Sequence, residues 1–528
     1  MTDAPPPGTA PDTAPSAGAP SRGAEIWLLV ATFLVAVAGM VYELIAATLS
    51  SYLLGDSVRQ FSLVIGVFLA SMGFGAWLSR LVTDAVRGFV WAQIALGVVG
   101  GFMAPALYFA FAWSGAVELP LYGLLVLTGV LCGMEIPLIA RVLKDIGAPE
   151  FRFENVLSVD YVGALVASVA FPLLIVPHLG LMSASLCFGI LNLMVAGFSL
   201  WLFRARLSRG VGIVWAVALL ASCAGLVQAE RMVSVVEASL YEDDVLISQD
   251  SRYQHITLTR FRNRTRLYLD ASIQFDSLDE YRYHETLVQP AMALAPRVDR
   301  VLILGGGDGM AAREVFRNPA VQAVTLVDLD AAVTDLFRSH PDLTLLNADA
   351  LNDPRLTIVN RDAWQFVQEE THSYDVIVVD LPDPKSIALS MLYTQEFYAQ
   401  LVERLSATGV MVVQAGSPLF ARQGYWSVVH TLAATRSPAA LGATLSVTPY
   451  HVYVPSFGDW GFALVTPRPR ADRALGALPG GLRYLTQATW DAAQVFGPDE
   501  SEVEAEINRL QSHALLGYYN AGWDAWFR

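Results

Sequence analysis

Charge is the first thing this 528-residue chain lacks. Asp, Glu, Lys and Arg together make up 16% of it, against about 25% in an ordinary soluble domain. Hydrophobic residues make up 54%. That balance excludes a wholly soluble chain and assigns much of the sequence to lipid. Basic residues are the scarcer sign, 34 Lys and Arg against 49 Asp and Glu, for a formal net charge of −15. A polyanionic partner such as nucleic acid is therefore disfavoured, and a cationic substrate fits better. Cysteine is nearly missing as well. Cys132, Cys187 and Cys223 all fall in apolar stretches, which leaves no disulfide framework or zinc spacing and gives them a role as small buried packing groups.

What the chain has instead is long apolar runs. After a tail of Pro, Ala, Gly, Thr and Ser over residues 1–23, predicted to be disordered, seven runs follow at about 25–49, 58–80, 88–112, 118–141, 157–177, 182–203 and 211–229. Each approaches the ~20 residues a helix needs to cross a bilayer. Arg80 and Arg87, then Arg141, Lys144 and Arg152, then Arg204, Arg206 and Arg209 fill every second connection. The other short connections are poor in Lys and Arg. The positive-inside rule puts the basic connections and the N-terminus in the cytoplasm. Seven crossings would then leave everything after residue 230 on the other side, so the side facing the soluble part stays open. Glu43, Glu135 and Asp160 lie within these runs. Such acids attract a cationic amine or tie helices together by hydrogen bonds.

Beyond residue 230 the pattern changes. Val245–Ser248, Tyr253–Phe261 and Arg266–Leu269 alternate like strands, with a turn at Arg262-Asn263-Arg264-Thr265. A helix starts at Asp279 and runs to about Leu294. The stretch that organises the rest is Val301–Asp330: an apolar strand, a turn of Gly305-Gly306-Gly307-Asp308-Gly309, a helix, and a second strand ending at Asp328. This is the nucleotide-binding half of a doubly wound sheet. Asp308 would repel a pyrophosphate, so the loop suits a ligand with a cationic part, such as a sulfonium nucleoside. Further strands are read at Leu356–Val359, Tyr374–Val379, Val410–Gln414, His451–Val454 and Trp460–Val465. Asp362 follows the first of these, and Asp380 and Asp383 follow the second, at the sheet edge where such folds bind ligands. The tail to Arg528 reads as mostly helical and aromatic.

Taken together these motifs resemble the spermidine synthases, or polyamine aminopropyltransferases, and within them the membrane-bound bacterial branch. The motifs that carry the resemblance are Tyr253-Gln254, SLDEYRYHETLVQPAM (277–292), VLILGGGDG (301–309), VTLVDLD (324–330), RDAWQFV (361–367), YDVIVVDLPDP (374–384), LYTQEFY (392–398), VVQAGSP (412–418) and YHVYVPSFGDWGF (450–462). The implied architecture is a multi-span α-helical membrane domain (24–230) fused to a small β-domain (231–290) and an α/β Rossmann-like, methyltransferase-type fold (291–528).

The implied reaction moves the aminopropyl group of decarboxylated S-adenosylmethionine to putrescine, giving spermidine and methylthioadenosine without a cofactor or metal. By position in the family's motifs, Asp380 is the proton acceptor, Asp383 helps hold the amines, and Tyr283 assists the acid. Gln254, His284 and Asp308 match positions that bind the aminopropyl end and the polyamine. Asp328 matches the ribose-binding acid, usually Glu. Asp362 and Ala363 match an adenine-binding Asp-Gly pair, with Ala in place of Gly. After Asp383 the family's Gly-Pro-rich gate is replaced by Lys385-Ser386-Ile387-Ala388-Leu389, which would repel an amine if Lys385 pointed inward. Soluble relatives form dimers or tetramers, and the resemblance implies the inner cell membrane as location. A polyamine-binding transporter or sensor and a methyltransferase are the other readings; an acid-lined pocket disfavours the carboxylate-bearing donor of the latter.

Overall fold

The computed structural model describes residues 22–54, 57–114, 117–145, 153–229, 231–233, 241, 243–437, 443–467 and 474–527. Apart from Arg22 and Gly23, the expected N-terminal tail lies outside them, as does Arg152. The chain divides into two compact units, Met1–Leu240 and Tyr241–Arg528.

The first unit is helical: α1 (Arg22–Leu54), α2 (Ser57–Leu78), α3 (Ala85–Gly101), α4 (Met103–Ser114), α5 (Glu118–Asp145), α6 (Phe153–Ala170), α7 (Val176–Leu202) and α8 (Arg209–Val227). The apolar run at 88–112 is two helices, because Phe102 leaves helical geometry between α3 and α4. Among the described residues, six helical stretches are long and apolar enough to cross a membrane. One of them, Phe153–Leu202, has 50 residues. At 1.5 Å per residue that is about 75 Å, more than twice the ~30 Å hydrocarbon thickness. A π turn at Phe171–Ile175 and a left-handed break at Gly180 (φ 65°) divide it, which reconciles six stretches with the seven runs of the sequence.

The three basic connections lie at one end of this unit. Leu28, Val86, Val142 and Phe203, from the start of α1 and beside each basic connection, share one apolar cluster. The Arg141 guanidinium donates to the carbonyls of Ser79 and Val82, both at 2.9 Å, and closes the turn before α3. Ala229, just past α8, packs instead with Met182 and Leu186. Of the three acids, Glu43 and Glu135 are buried and Asp160 is half-buried. The Gln93 amide donates to Glu135 at 2.6 Å, a tie between α3 and α5.

The second unit starts with an antiparallel sheet of β1 (Asp244–Asp250), β2 (His255–Phe261), β3 (Arg264–Leu269) and β4 (Ser272–Asp276). Helix α9 (Glu280–Leu294) follows, and a boundary at residue 290 would cut it. Next come β5 (Arg300–Gly305), α10 (Met310–Phe316), β6 (Ala323–Asp328), α11 (Ala331–Ser339), α12 (Pro341–Leu346), β7 (Leu356–Asn360), α13 (Ala363–Glu369) and β8 (Tyr374–Asp380). After these lie α14 (Ile387–Met391), α15 (Gln395–Arg404), β9 (Leu405–Gly416), α16 (Arg422–Ala434) and a short ribbon of β10 (Arg436–Ser437) and β11 (Ala443–Thr444). The unit ends with the hairpin β12 (Ser446–Val454) and β13 (Gly458–Thr466), then α17 (Gln487–Ala493) and α18 (Ala514–Phe527). Between α17 and α18 the chain is irregular, so the tail is less helical than its composition predicts.

The large sheet runs β12-β13-β9-β8-β5-β6-β7, with β9, β8, β5, β6 and β7 parallel. This is a Rossmann-like doubly wound sheet extended by an antiparallel hairpin. Its central strands are buried on both faces, which is why β5 and β8 read as unbroken apolar runs. One core contains Ile303, Val376, α9 and the apolar face of the small sheet through Ile256, Leu258 and Phe275. The other face packs α13, α15 and α16. The strand order reverses between β5 and β8, the position where such folds bind ligands.

Candidate active site

Four adjacent parallel strands carry acids at or just past their ends along one edge. In register, Gly305 of β5 stands opposite Asp380 of β8, and Asp328 of β6 opposite Asn360 of β7. Asp308 lies in the loop after β5, and Asp362 two residues past β7. The glycine loop brings backbone close to these carboxylates. Gly305 has φ +80°, and a Cβ there would lie 2.0 Å from the Asp380 carbonyl oxygen. A Cβ on Gly307 would lie 2.6 Å from Asp328 Oδ2. Side chains at either place would push the acids off the edge.

Asp380 lies at the switch point. The Tyr283 hydroxyl, brought in by α9, donates to its Oδ1 at 2.6 Å. Burial pushes the Asp380 carboxyl up to about 6 and Asp308 adds to the rise, while the His284 cation and the Tyr283 hydrogen bond oppose it. The group is thus mostly ionised at neutral pH yet close to its midpoint. Burial and the nearby acids hold the Tyr283 phenol neutral, so it remains a donor.

His284 is 2% exposed. Its Nδ1 donates to the Glu280 carboxylate and carbonyl, each at 2.9 Å. Burial alone would lower its pKa; Glu280, with Asp308 and Asp380, raises it to about 9. Glu280 is in turn fastened by Arg313 at 3.0 and 2.8 Å. Against the opposing effect of burial, His284 and Arg313 bring Glu280 down to about 2. A lone His on a helix is thereby a fixed cation beside two acids. Its supports, Glu280 and Arg313, carried no visible signal in the sequence.

Asp308 accepts from the Met310 N–H at 2.9 Å and shapes the start of α10. Burial raises its pKa, against the charge of His284. Asp328 accepts from Gly307 N–H at 3.0 Å and from Asp330 N–H at 2.9 Å. Burial pushes it up to about 6, against those two hydrogen bonds. Gln254 is not in the acid row itself; its amide donates to Asp330 at 3.0 Å and ties the small sheet to the start of α11. Asp362 caps α13 through the Gln365 N–H at 2.9 Å, and Ala363 is buried behind it.

Asp383 has a partner from far along the chain. The Tyr519 hydroxyl of α18 donates to its Oδ2 at 2.8 Å. Burial raises the Asp383 pKa; the Lys385 charge and hydrogen bonds from Tyr519 and Gln414 oppose the rise. Lys385 is exposed, and its Nζ donates to Ser272 Oγ at 2.6 Å, turned to the small sheet. Gln414 also donates to Leu381 O and Tyr393 Oη, both at 2.6 Å, and Tyr393 donates to the carbonyls of Leu381 and Pro382 at 3.0 and 3.1 Å. These bonds fix the backbone that carries Asp380 and Asp383. The result is a row of carboxylates along one sheet edge, with the His284 cation beside Asp308 and Asp380.

Comparison with known proteins identifies the family. The family model of the spermine/spermidine synthase domain matches residues 280–472. A polyamine aminopropyltransferase of Leptospira interrogans is 42% identical over 505 residues, covering 94% of this chain and 98% of that protein. Polyamine aminopropyltransferase 1 of Ralstonia nicotianae is 40% identical over 524 residues, covering 97% and 98%. A solved spermidine synthase from Thermotoga maritima is 24% identical, covers 48% of this chain and 84% of its own, and superposes with a TM-score of 0.43. The chain belongs to the polyamine aminopropyltransferase family. It is an enzyme of that class, a transferase of polyamine synthesis.

Proposed function

We propose that this transferase moves the aminopropyl group of decarboxylated S-adenosylmethionine to putrescine, with Asp380 as proton acceptor. The observation that carries this reading is the Asp380 carboxylate at the switch point, under the Tyr283 hydroxyl at 2.6 Å and held near a pKa of about 6. A free alkyl amine is protonated at neutral pH, like lysine, and is no nucleophile until it loses that proton. In the proposed step the amine transfers a proton to Asp380 and its nitrogen attacks the aminopropyl carbon next to sulfur. The C–S bond breaks, its electron pair goes to the sulfonium, and neutral methylthioadenosine leaves. A positive sulfur is already a good leaving group, so the proposal includes no metal or cofactor.

The other assignments follow from the match to the family's motifs. Asp328 accepts the ribose hydroxyls, and Asp362 with Ala363 lines the adenine. Gln254, His284 and Asp308 bind the aminopropyl end and the polyamine, Asp383 helps hold the amines, and Tyr283 assists Asp380. The chain is proposed as a multi-pass protein of the inner membrane, with the shared basic end of the helical unit in the cytoplasm. A transporter or sensor reading would rest on Glu43, Glu135 and Asp160; the Gln93–Glu135 hydrogen bond favours a helix tie instead.

The test is methylthioadenosine formation by Asp380→Asn with decarboxylated S-adenosylmethionine and, separately, S-adenosylmethionine. Loss of a general base predicts a fall in kcat of about 10²–10⁴-fold with donor binding kept. Wild-type turnover only with the undecarboxylated donor, or full activity in the variant, refutes the reading.

A further inference from the structure

The C-terminal helix reaches Asp383, three residues past the end of β8. We propose that Tyr519 is a positioning residue of the acceptor subsite, holding the Asp383 carboxylate for the ammonium end of the amine that does not react. The inference rests on the aminopropyl-transfer reading and adds a residue to it.

Helix α18 is seated without help from the Tyr519 hydroxyl. Leu515 is 1% exposed in the second core of the sheet. Asn508, fully buried, donates through its side chain to Ser390 O at 3.0 Å, accepts from Leu515 N–H at 3.3 Å, and donates its own N–H to Thr431 Oγ1 at 2.9 Å. A Cβ on Gly522 would lie 2.6 Å from Ala421 Cα, so α18 sits directly on the turn after β9. Phe420 packs on Trp523 and Trp526, with ring centroids at 5.2 and 5.4 Å. These contacts dock the helix. The Tyr519 hydroxyl, on a side chain 6% exposed, meets Asp383 Oδ2 at 2.8 Å.

Its chemistry fits a holder and not a proton carrier. Burial and the charge of Asp383 raise the Tyr519 pKa, so the phenol stays neutral and donates. The bond to Oδ2 fixes the carboxylate plane and favours the ionised form. Asp383 lies three residues past Asp380 on a segment braced by Gln414 and Tyr393. A diamine whose reacting nitrogen meets Asp380 therefore finds its second charge opposite an acid held in one rotamer. Loss of the hydroxyl frees that rotamer and raises the Asp383 pKa further, since the hydrogen bond opposes the effect of burial.

The test uses the full-length protein in lipid nanodiscs, with wild type and Tyr519→Phe, a substitution that keeps the ring and its packing. Methylthioadenosine release is measured against putrescine and against decarboxylated S-adenosylmethionine over pH 6–9. The expected result is a rise in the amine KM of about tenfold, from loss of one hydrogen bond to a charged group. The donor KM and the kcat at saturating amine stay within about twofold, because Asp380 and the glycine loop are untouched. The acid limb of kcat/KM for the amine moves to higher pH. An unchanged amine KM and acid limb in a variant that turns over overturns the proposal, as does an equal loss of kcat and of donor affinity. A wild type that releases no methylthioadenosine with putrescine or a homologous diamine removes the transfer reading and this proposal with it.

Discussion

Replacing Tyr283 by Phe should convert a hydrogen bond into a measurable pH shift. The ring is held by Phe457 and Phe462 at centroid distances of 5.9 and 5.3 Å, and Phe preserves that packing. Only the hydroxyl at 2.6 Å from Asp380 Oδ1 is lost. That hydroxyl opposes the rise in pKa caused by burial, so its removal lets the carboxyl climb above about 6. Hydrogen bonds to charged groups contribute about 1.5–3 kcal/mol, and because Asp380 is only half-buried, solvent returns part of it. A net effect near 1.4 kcal/mol is one unit, which places the variant at about 7. A base works only when ionised. The fraction ionised at pH 6 then falls from about one half to about one tenth, a fivefold loss; at pH 7 the loss is about twofold, and at pH 9 it vanishes. The assay is kcat/KM for the amine, which reports the groups of the free enzyme, as a ratio of variant to wild type across pH 6–9. A ratio that is the same at every pH refutes the reasoning, because Tyr283 would then act on geometry alone. A ratio of one throughout shows that Asp380 is not the group whose ionisation limits turnover.

Two further outcomes follow from the loop and from the helical unit. Gly307→Ala places a Cβ 2.6 Å from Asp328 Oδ2, so the donor KM should rise at least tenfold while the amine KM changes little; equal donor affinity in the variant would mean that Asp328 does not bind the nucleoside. Reporters fused after Val233 and at the C-terminus should read the side opposite the basic connections, since Ala229 packs with Met182 and Leu186, away from the cluster of Leu28 and Phe203. A cytoplasmic signal from both, with the basic connections also cytoplasmic, shows that α8 does not cross.

The acid row was legible because physics writes it locally. Parallel strands buried on both faces appear as apolar runs, and an acid at the end of such a run has nowhere to go except the sheet edge. Asp328 and Asp380 were found that way. Strand β4 was missed because Ser272–Asp276 is short and half polar, and its pairing with β3 has a register shift. Hydropathy cannot see the breaks at Phe102 and Gly180, where composition stays apolar while the backbone turns. Tyr519 was invisible for another reason. Its partner lies 136 residues earlier, and nothing in a stretch of Tyr, Trp and Leu sets one hydroxyl apart from a packing ring. The same holds for Arg313 on Glu280, 33 residues apart, which turns His284 into a lasting cation. Lys385 turns its ammonium to Ser272, yet its charge still acts on Asp383.

Under the proposed ribose-binding role, the hydrogen bonds of Asp328 bear on how quickly and tightly a nucleoside is engaged. With Oδ2 on Gly307 and Oδ1 on Asp330, that side chain has one orientation before any ligand arrives. Each carboxylate oxygen keeps a second lone pair, which the proposed ribose hydroxyls would use. The entropy of ordering this acid is therefore a cost of folding and not of association. A cleft preorganised in this way should bind its nucleoside without a slow conformational step, and donor analogues should associate in a single phase whose rate rises linearly with concentration.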